Sequence, residues 1–193
     1  IAITGAWLFL GSATRFSEKS RIVTIGKDAT NKTDVLAAFS EAGILRFNGL
    51  LGIAGAPINL WDQLKPGKYE IKKGQSIVQI VRMLKNGRFA EVKLVINRVR
   101  TKAELARLIG KTFPIDSADA MHYMESNDSL SQFGTDTSLL FTKIIPNTYS
   151  FYYDAPLGKI FRKLTNESNA FWLKNNRMQK AAALQLTPEQ VYT

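Results

Sequence analysis

The most aromatic run of the chain is residues 143–153, Lys-Ile-Ile-Pro-Asn-Thr-Tyr-Ser-Phe-Tyr-Tyr, and a Pro-Asn turn interrupts it. Pro146 fixes its own φ and lacks an amide proton, while Asn147 can hydrogen-bond its own backbone, so the pair predicts a tight corner. The residues after the corner alternate between Tyr or Phe and other types, which predicts a strand. Such a corner either places aromatic side chains in a core or presents polar groups and aromatic faces to a ligand.

This corner strand belongs to a strand–turn–helix pattern that recurs along the chain. Four strand ends are each followed five residues later by a helix start, pairing Ile25 with Thr30, Ile71 with Ser76, Ile96 with Thr101 and Phe151 with Pro156. In the helices that follow Ile71 and Phe151, apolar residues fall at the same offsets. The recurrence predicts small repeated units in which one face of a helix packs on a small sheet.

Local signals along the rest of the chain predict an α+β fold. The predicted strands are residues 22–25, 68–71 and 92–96, together with the corner strand. The predicted helices are residues 30–42, part of 47–60, 76–86, a helix begun by the capping box of Thr101 and Glu104, 117–125, one around 157–164, and 170–184. Residues 127–138 are polar and predict a loop.

Composition excludes several kinds of active site. The chain has no cysteine, so it has neither disulfides nor Cys-ligated zinc. Its one histidine, His122, argues against a His-dependent triad or a multi-His metal site, and the flanking sequence predicts an ordinary helix residue.

The net charge of +10 favours an anionic partner. Nucleic acid, phospholipid headgroups and an acidic cell-wall polymer all fit this charge. The basic residues are scattered, and no zinc-finger, RNP-type or basic-zipper pattern accompanies them. We therefore predict that nucleic acid is not a partner.

Both ends of the chain suggest a fragment of a longer protein. Residues 1–11 are apolar and uncharged, but a helix needs about 20 residues to span a bilayer. They fit either the end of a membrane anchor or a first strand. At the other end, Thr187, Pro188 and Gln190 form a strong helix start that is followed by only a few residues.

Several of these segments together resemble the YceG-like family, the MltG-type endolytic murein transglycosylases. Residues 64–71 (LKPGKYEI), 76–87 (SIVQIVRMLKNG) and the strand 92–96 resemble one conserved element of that family. The corner Ile145-Pro146-Asn147-Thr148-Tyr149 is similar to its [FW]-P-[DN]-T-[YW] signature. The apolar start, residues 22–43 and residues 186–191 follow in family order, so the resemblance spans essentially the whole chain.

The resemblance implies cleavage of the bond between N-acetylmuramic acid and N-acetylglucosamine inside peptidoglycan strands, leaving 1,6-anhydro ends. It implies that residues 1–20 are an N-terminal segment with the end of a membrane anchor and that residues 21–97 form LysM-like modules. Residues 98–193 would then be part of a mixed α/β catalytic domain. The expected location is the cytoplasmic membrane, single-pass, with the bulk of the chain extracytoplasmic. Glycan strands are the implied partner, cell-wall synthesis proteins are further candidates, and no cofactor or metal is implied.

The resemblance also assigns candidate residues. It places the catalytic Glu beyond Thr193, on the helix that begins at Pro188, so no catalytic residue is expected in this chain. Asn147, Thr148 and Tyr149 match the signature and are candidate substrate-binding residues, and strand alternation adds Tyr152. Many family members have Glu-Gly upstream of the corner, where this chain has Phe141 and Thr142. The alternative function is a non-catalytic peptidoglycan-binding scaffold.

Overall fold

The computed structural model describes residues 10–26 and 31–192, and these form an α+β fold of two compact units. The first unit extends to Glu91 and the second begins at Val92. Each contains a two-stranded sheet and several helices. The predicted α+β class is therefore confirmed, whereas the assignment of the units to LysM-like modules and a catalytic domain stays a prediction.

The first unit is built on an antiparallel pair of strands, β1 (Ser20–Ile25) and β2 (Gly67–Lys72), in which Val23 lies opposite Tyr69. The helices are α1 (Lys32–Glu41), α2 (Asn48–Gly55), α3 (Leu60–Gln63) and α4 (Ile77–Lys85), with a 3-10 turn at Ala56–Ile58. Alternate side chains of β2 are buried, so the sheet has one core face and one outer face.

The core of the first unit joins the sheet to the predicted apolar faces of the helices. Phe39, Leu51, Tyr69, Ile80 and Leu84 are all fully buried. Burying each such side chain contributes about 1.5–3 kcal/mol relative to leaving it in water. The predicted helix start at Ser76 is confirmed, and a capping box with Gln79 fixes the start of the helix that carries the last two of these residues.

The second unit pairs β3 (Glu91–Ile96) with the corner strand β4 (Asn147–Tyr152). Its helices are α5 (Lys102–Thr112), α6 (Ser117–Glu125), α7 (Asn127–Ser131), α8 (Leu157–Leu173), α9 (Arg177–Ala183) and α10 (Pro188–Tyr192), with 3-10 turns at Leu140–Lys143 and Lys174–Asn176. His122 is exposed on α6, as an ordinary helix residue.

Pairs of aromatic side chains pack within the core of the second unit. The ring of Phe151 meets that of Phe113 edge-on, with centroids 5.5 Å apart, and Tyr123 stacks on Phe161 at 5.4 Å. Phe151 belongs to β4 and Phe113 follows α5, so the first pair fastens the corner strand to the end of α5. Tyr123 belongs to α6 and Phe161 to α8, so the second pair fastens these two helices to each other. Such pairs add about 0.5–1.5 kcal/mol each to the free energy of unfolding beyond area burial.

Three sequence predictions differ from the structure. The cap of α1 is Asn31, whose side chain accepts from the Asp34 amide, and Thr30 lies outside the described residues. The predicted loop at 127–138 begins with the short helix α7, because the Ser126 side chain caps it through the Ser129 amide. The predicted helix at 170–184 is interrupted, because Asn175 and Asn176 both have left-handed backbone angles.

Within residues 10–26 and 31–192, none of the helices has both the length and the apolar character needed to cross a membrane. The apolar residues 1–9, on which most of the anchor prediction falls, lie outside that described part. The anchor prediction therefore stays a prediction.

Candidate substrate-binding corner

Tyr149 supports the predicted corner from inside. Its side chain is only 2% exposed, and its hydroxyl donates a hydrogen bond of 2.7 Å to the backbone oxygen of Ile145. This bond joins the residues on either side of Pro146, which cannot donate a backbone hydrogen bond of its own. The corner is therefore shaped by a buried aromatic anchor. Of the four candidate binding residues, Tyr149 is the one the structure places in the core.

Asn147 and Thr148 form the exposed outer side of the same corner. The Asn147 side-chain oxygen accepts a 2.8 Å bond from the Thr148 amide, which fixes that side chain over the turn. Its amide NH2 group is left to donate outward. Tyr152, at the far end of β4, is 53% exposed. The structure thus brings an amide, a hydroxyl and an aromatic ring to the outer side of one short strand.

Two lysines of α8 flank this outer side. The Lys163 ammonium donates a 2.7 Å bond to the backbone oxygen of Ser150, and it lies 5.2 Å from the centre of the Phe151 ring. The Lys159 ammonium lies 5.9 Å from the centre of the Tyr152 ring. The two residues are one helical turn apart, so they follow the strand side by side. Polar, aromatic and cationic groups therefore share one surface, which suits a saccharide that carries carboxylates.

The first unit contains the same corner in a closed form. There the hydroxyl of Tyr69 donates a 2.6 Å bond to the backbone oxygen of Lys65, again across a proline. The Phe89 ring packs on Tyr69 with centroids 5.0 Å apart, and a Cβ atom on Gly67 would collide with that ring. Gly67 occupies the position that Asn147 has in the second unit. One corner is thus covered by an aromatic ring, whereas the other is exposed.

An ion pair ties the approach to the open corner to the last helix. The Lys143 ammonium lies 2.7 Å from a carboxylate oxygen of Glu189, and both side chains are largely shielded from solvent. The hydrogen bond from Lys143 is the main cause that lowers the pKa of Glu189 below its ordinary value. Glu189 is therefore a carboxylate at neutral pH. The predicted capping box holds the same helix start, since Thr187 and Gln190 exchange hydrogen bonds at 2.8 and 3.3 Å.

We expect Lys143→Met or Glu189→Gln to lower the free energy of unfolding of the second unit by about 1 kcal/mol at pH 7. Because the pKa of folded Glu189 is lowered, its contribution is present above the carboxyl pKa of the unfolded chain and is lost as pH falls through the folded value. The difference from wild type should therefore shrink below about pH 4. Urea denaturation at pH 7 and pH 3 measures it, and an equal loss at both values would contradict the ion-pair explanation.

The flanking residues of this corner were missed by the sequence predictions. Lys159 and Lys163 appeared there only as part of a scattered positive charge. Lys159 is next to the apolar residue Ile160, and Lys163 follows Ile160 by three residues. This spacing on a predicted helix could have indicated that both lysines lie near the strand on which the helix packs. No local signal pairs Lys143 with Glu189, because the two are far apart in sequence.

In the described part of the chain, no three histidine or acidic residues are grouped closely enough to hold a metal ion. The donors at the corner are instead amide, hydroxyl and ammonium groups. These groups recognise sugars and anions by hydrogen bonding.

Comparison with known proteins gives the family. No curated protein matches the chain. A crystal structure of a YceG-like protein from Listeria monocytogenes is similar, with 19% sequence identity and a TM-score of 0.47 over 89% of this chain. This chain spans 61% of the length of that protein. The model of the YceG-like family matches residues 23–193, which include most of the first unit, all of the second unit and the corner, and the chain therefore belongs to the YceG-like family.

Proposed function

We propose that the complete protein cleaves peptidoglycan strands internally, at the β-1,4 bond between N-acetylmuramic acid and N-acetylglucosamine. This is the activity of the MltG-type members of the family. The observation that carries the proposal is the exposed Asn147-Thr148 corner, anchored by buried Tyr149, in a chain of this family. Because the corner is exposed, a glycan strand can reach it without any rearrangement of the core.

The proposed reaction is an intramolecular transglycosylation. A carboxylic acid protonates the glycosidic oxygen, and the bond from that oxygen to C1 of the muramic residue breaks. The muramic 6-hydroxyl then attacks C1 and gives its proton to the carboxylate, which forms the 1,6-anhydro ring. One carboxyl group is sufficient, because the hydroxyl of the sugar replaces the water or the second carboxylate of other glycosidases.

Glu189 does not suit the role of that acid. A general acid must hold a proton near neutral pH, whereas the lowered pKa of Glu189 keeps it ionised. In line with the resemblance to the MltG-type members of the family, we propose that the acid lies on the continuation of α10, beyond Thr193. Asn147 and Thr148 are proposed to hydrogen-bond the sugars, with Tyr152 stacking on a sugar ring. Neither a metal nor an organic cofactor takes part in this scheme.

The proposal places the protein in the cytoplasmic membrane, with a single span and with both units on the extracytoplasmic side. Peptidoglycan lies on that side. A net charge of +10 suits a polymer that carries lactyl and peptide carboxylates. Cell-wall synthesis proteins are further candidate partners.

The test is release of anhydro-ended fragments from intact sacculi, detected by mass spectrometry. We expect the full-length protein to release them and residues 1–193 to release none. Release by residues 1–193 would overturn the placement of the acid. If the full-length protein binds sacculi but cleaves nothing, the protein is the non-catalytic peptidoglycan-binding scaffold instead.

A further inference from the structure

A cavity of about 500 Å³ opens on the surface of the first unit. It lies between the outer face of β2, one side of α4 and the residues that follow α4. It is separate from the corner at Asn147, which belongs to the second unit. Neither the sequence predictions nor the proposed reaction assigns it a role.

The charged residues of the cavity are mainly cationic. Lys72, Arg82 and Arg88 line it, and Glu70 is the one carboxylate among the lining residues. None of these four side chains belongs to either of the ion pairs found in the described residues. Among the described residues, no ion pair therefore neutralises this positive charge, which can attract an anionic ligand.

The amide side chains of the cavity add further donors. The side-chain oxygen of Gln75 accepts a 2.8 Å bond from the Lys72 amide, and that of Gln79 accepts a 3.0 Å bond from the Ser76 amide. Both oxygens are thus used by the backbone, which leaves the NH2 groups to donate to a ligand. The cavity is rich in donors and poor in acceptors, so it suits a ligand with many acceptor oxygens.

One wall of the cavity is apolar. Met83 and Phe89 line it, and Phe89 is held in place by its contact with Tyr69. An aromatic ring beside hydrogen-bond donors can accept the apolar face of a sugar ring, whose hydroxyl and carbonyl groups point sideways to the donors. A small inorganic anion would leave this wall unused.

The equivalent surface of the second unit, on β4 beside α8, has a lysine where the first unit has a methionine. Lys163 takes the position of Met83 in the repeat, and its ammonium bonds back to the strand at Ser150. Met83 cannot make such a bond, so the strand and the helix of the first unit leave a cavity between them. The repeat thus has two different side chains at this position, Met83 beside the cavity of the first unit and Lys163 beside the exposed corner of the second.

We infer that this cavity binds a carboxylate-bearing sugar unit, with Arg82 and Arg88 on the carboxylate and Phe89 against the ring. The donor-rich lining, the positive charge and the apolar wall carry the inference. The identification of the ligand as a muramic acid residue rests on the proposed function. The first unit then binds the same polymer as the corner, at a separate site.

The probe is a soluble tetrasaccharide of alternating N-acetylglucosamine and N-acetylmuramic acid. It is titrated by isothermal calorimetry into residues 1–193 that carry Asn147→Ala/Thr148→Ala, the parent chain, so that the corner does not contribute to binding. We expect Arg82→Gln/Arg88→Gln in this parent chain to bind it at least about tenfold more weakly, since two charge-assisted contacts are lost. The same tetrasaccharide with amidated carboxyl groups should bind the parent chain about as weakly. The charge-matched control is Arg15→Gln/Lys19→Gln, which changes exposed cations outside the cavity and should bind like the parent chain.

Three results would overturn the inference. They are equal binding of the amidated saccharide, equal weakening by the control variant, and tighter binding of single-stranded DNA than of the saccharide at the same salt concentration. The sacculus assay separates this inference from the proposed function. If the full-length protein cleaves sacculi but the Arg82/Arg88 variant binds the tetrasaccharide normally, only the cavity assignment fails. If the cavity binds as expected and no cleavage occurs, the proposed reaction fails.

Discussion

Replacing Tyr149 by alanine is expected to destabilise the second unit by about 3–5 kcal/mol, the range for removing a large aromatic side chain from a core. The side chain is 2% exposed, so its loss leaves a cavity beneath the corner. Tyr149→Phe keeps the ring and removes the hydrogen bond to Ile145, and it should cost about 1 kcal/mol. Chemical denaturation followed by circular dichroism measures both values.

The first unit provides the matched control for this prediction. Tyr69 makes the same bond across a proline, so Tyr69→Phe and Tyr69→Ala should lower the stability of the first unit in the same order. Trp61 lies in the first unit and Trp172 in the second, so with Trp7 replaced, single-tryptophan versions of each variant report which unit unfolds. If Tyr149→Ala costs less than about 1 kcal/mol, Tyr149 is not a packed anchor and the corner is shaped by something else.

Replacing both Asn147 and Thr148 by alanine in the full-length protein is expected to slow the release of anhydro-ended fragments by about 100-fold. Loss of positioning contacts at a substrate commonly has an effect of this size. Both side chains are exposed, so the free energy of unfolding should change by less than about 1 kcal/mol, most of it from the bond between Asn147 and the Thr148 amide. Mass spectrometry of digested sacculi gives the rate.

Two further variants make this prediction specific. Tyr152→Ala should also reduce release, because it removes the exposed ring at the other end of the strand. Asn169→Ala changes an exposed asparagine on α8, far along the helix from Lys159 and Lys163, and should have no effect. Normal release by the Asn147/Thr148 variant would show that the corner does not contact the glycan.

The parts of the fold that were predictable depend on neighbouring residues. The capping boxes of Ser76 with Gln79 and of Thr101 with Glu104 both form, because each is completed within a single turn. The left-handed Gly43 after α1 is equally local. These short-range interactions also explain why the repeat could be read from the spacing of strand ends and helix starts.

The failed predictions involve asparagine and serine, whose side chains compete with regular backbone bonding. Asn175 and Asn176 adopt left-handed angles and separate α8 from α9, although the flanking residues favour a continuous helix. Ser126 caps α7 within a segment whose polar composition predicted a loop. Composition alone does not say which of these residues will turn its side chain to the backbone.

At the candidate site, the corner and its residue types were predictable from the sequence. The direction in which each side chain points was not. Alternation predicted that Tyr149 and Tyr152 point to opposite faces, yet it could not say which face is the core. The lysine contacts to Ser150 and Tyr152 depend on how α8 lies along β4, which is tertiary information. The cavity of the first unit depends in the same way on the placement of α4 beside β2.

The tyrosine bond across each proline has a consequence for how the two bends can vary. Because each bend is held by a contact on its inner side, the residues after the proline are not needed to hold it. The chain has two solutions, with Gly67 and Lys68 at one bend and Asn147 and Thr148 at the other. Where a ring covers the bend, as Phe89 does at Gly67, that position is restricted to glycine, whereas the open bend can carry side chains that recognise a ligand.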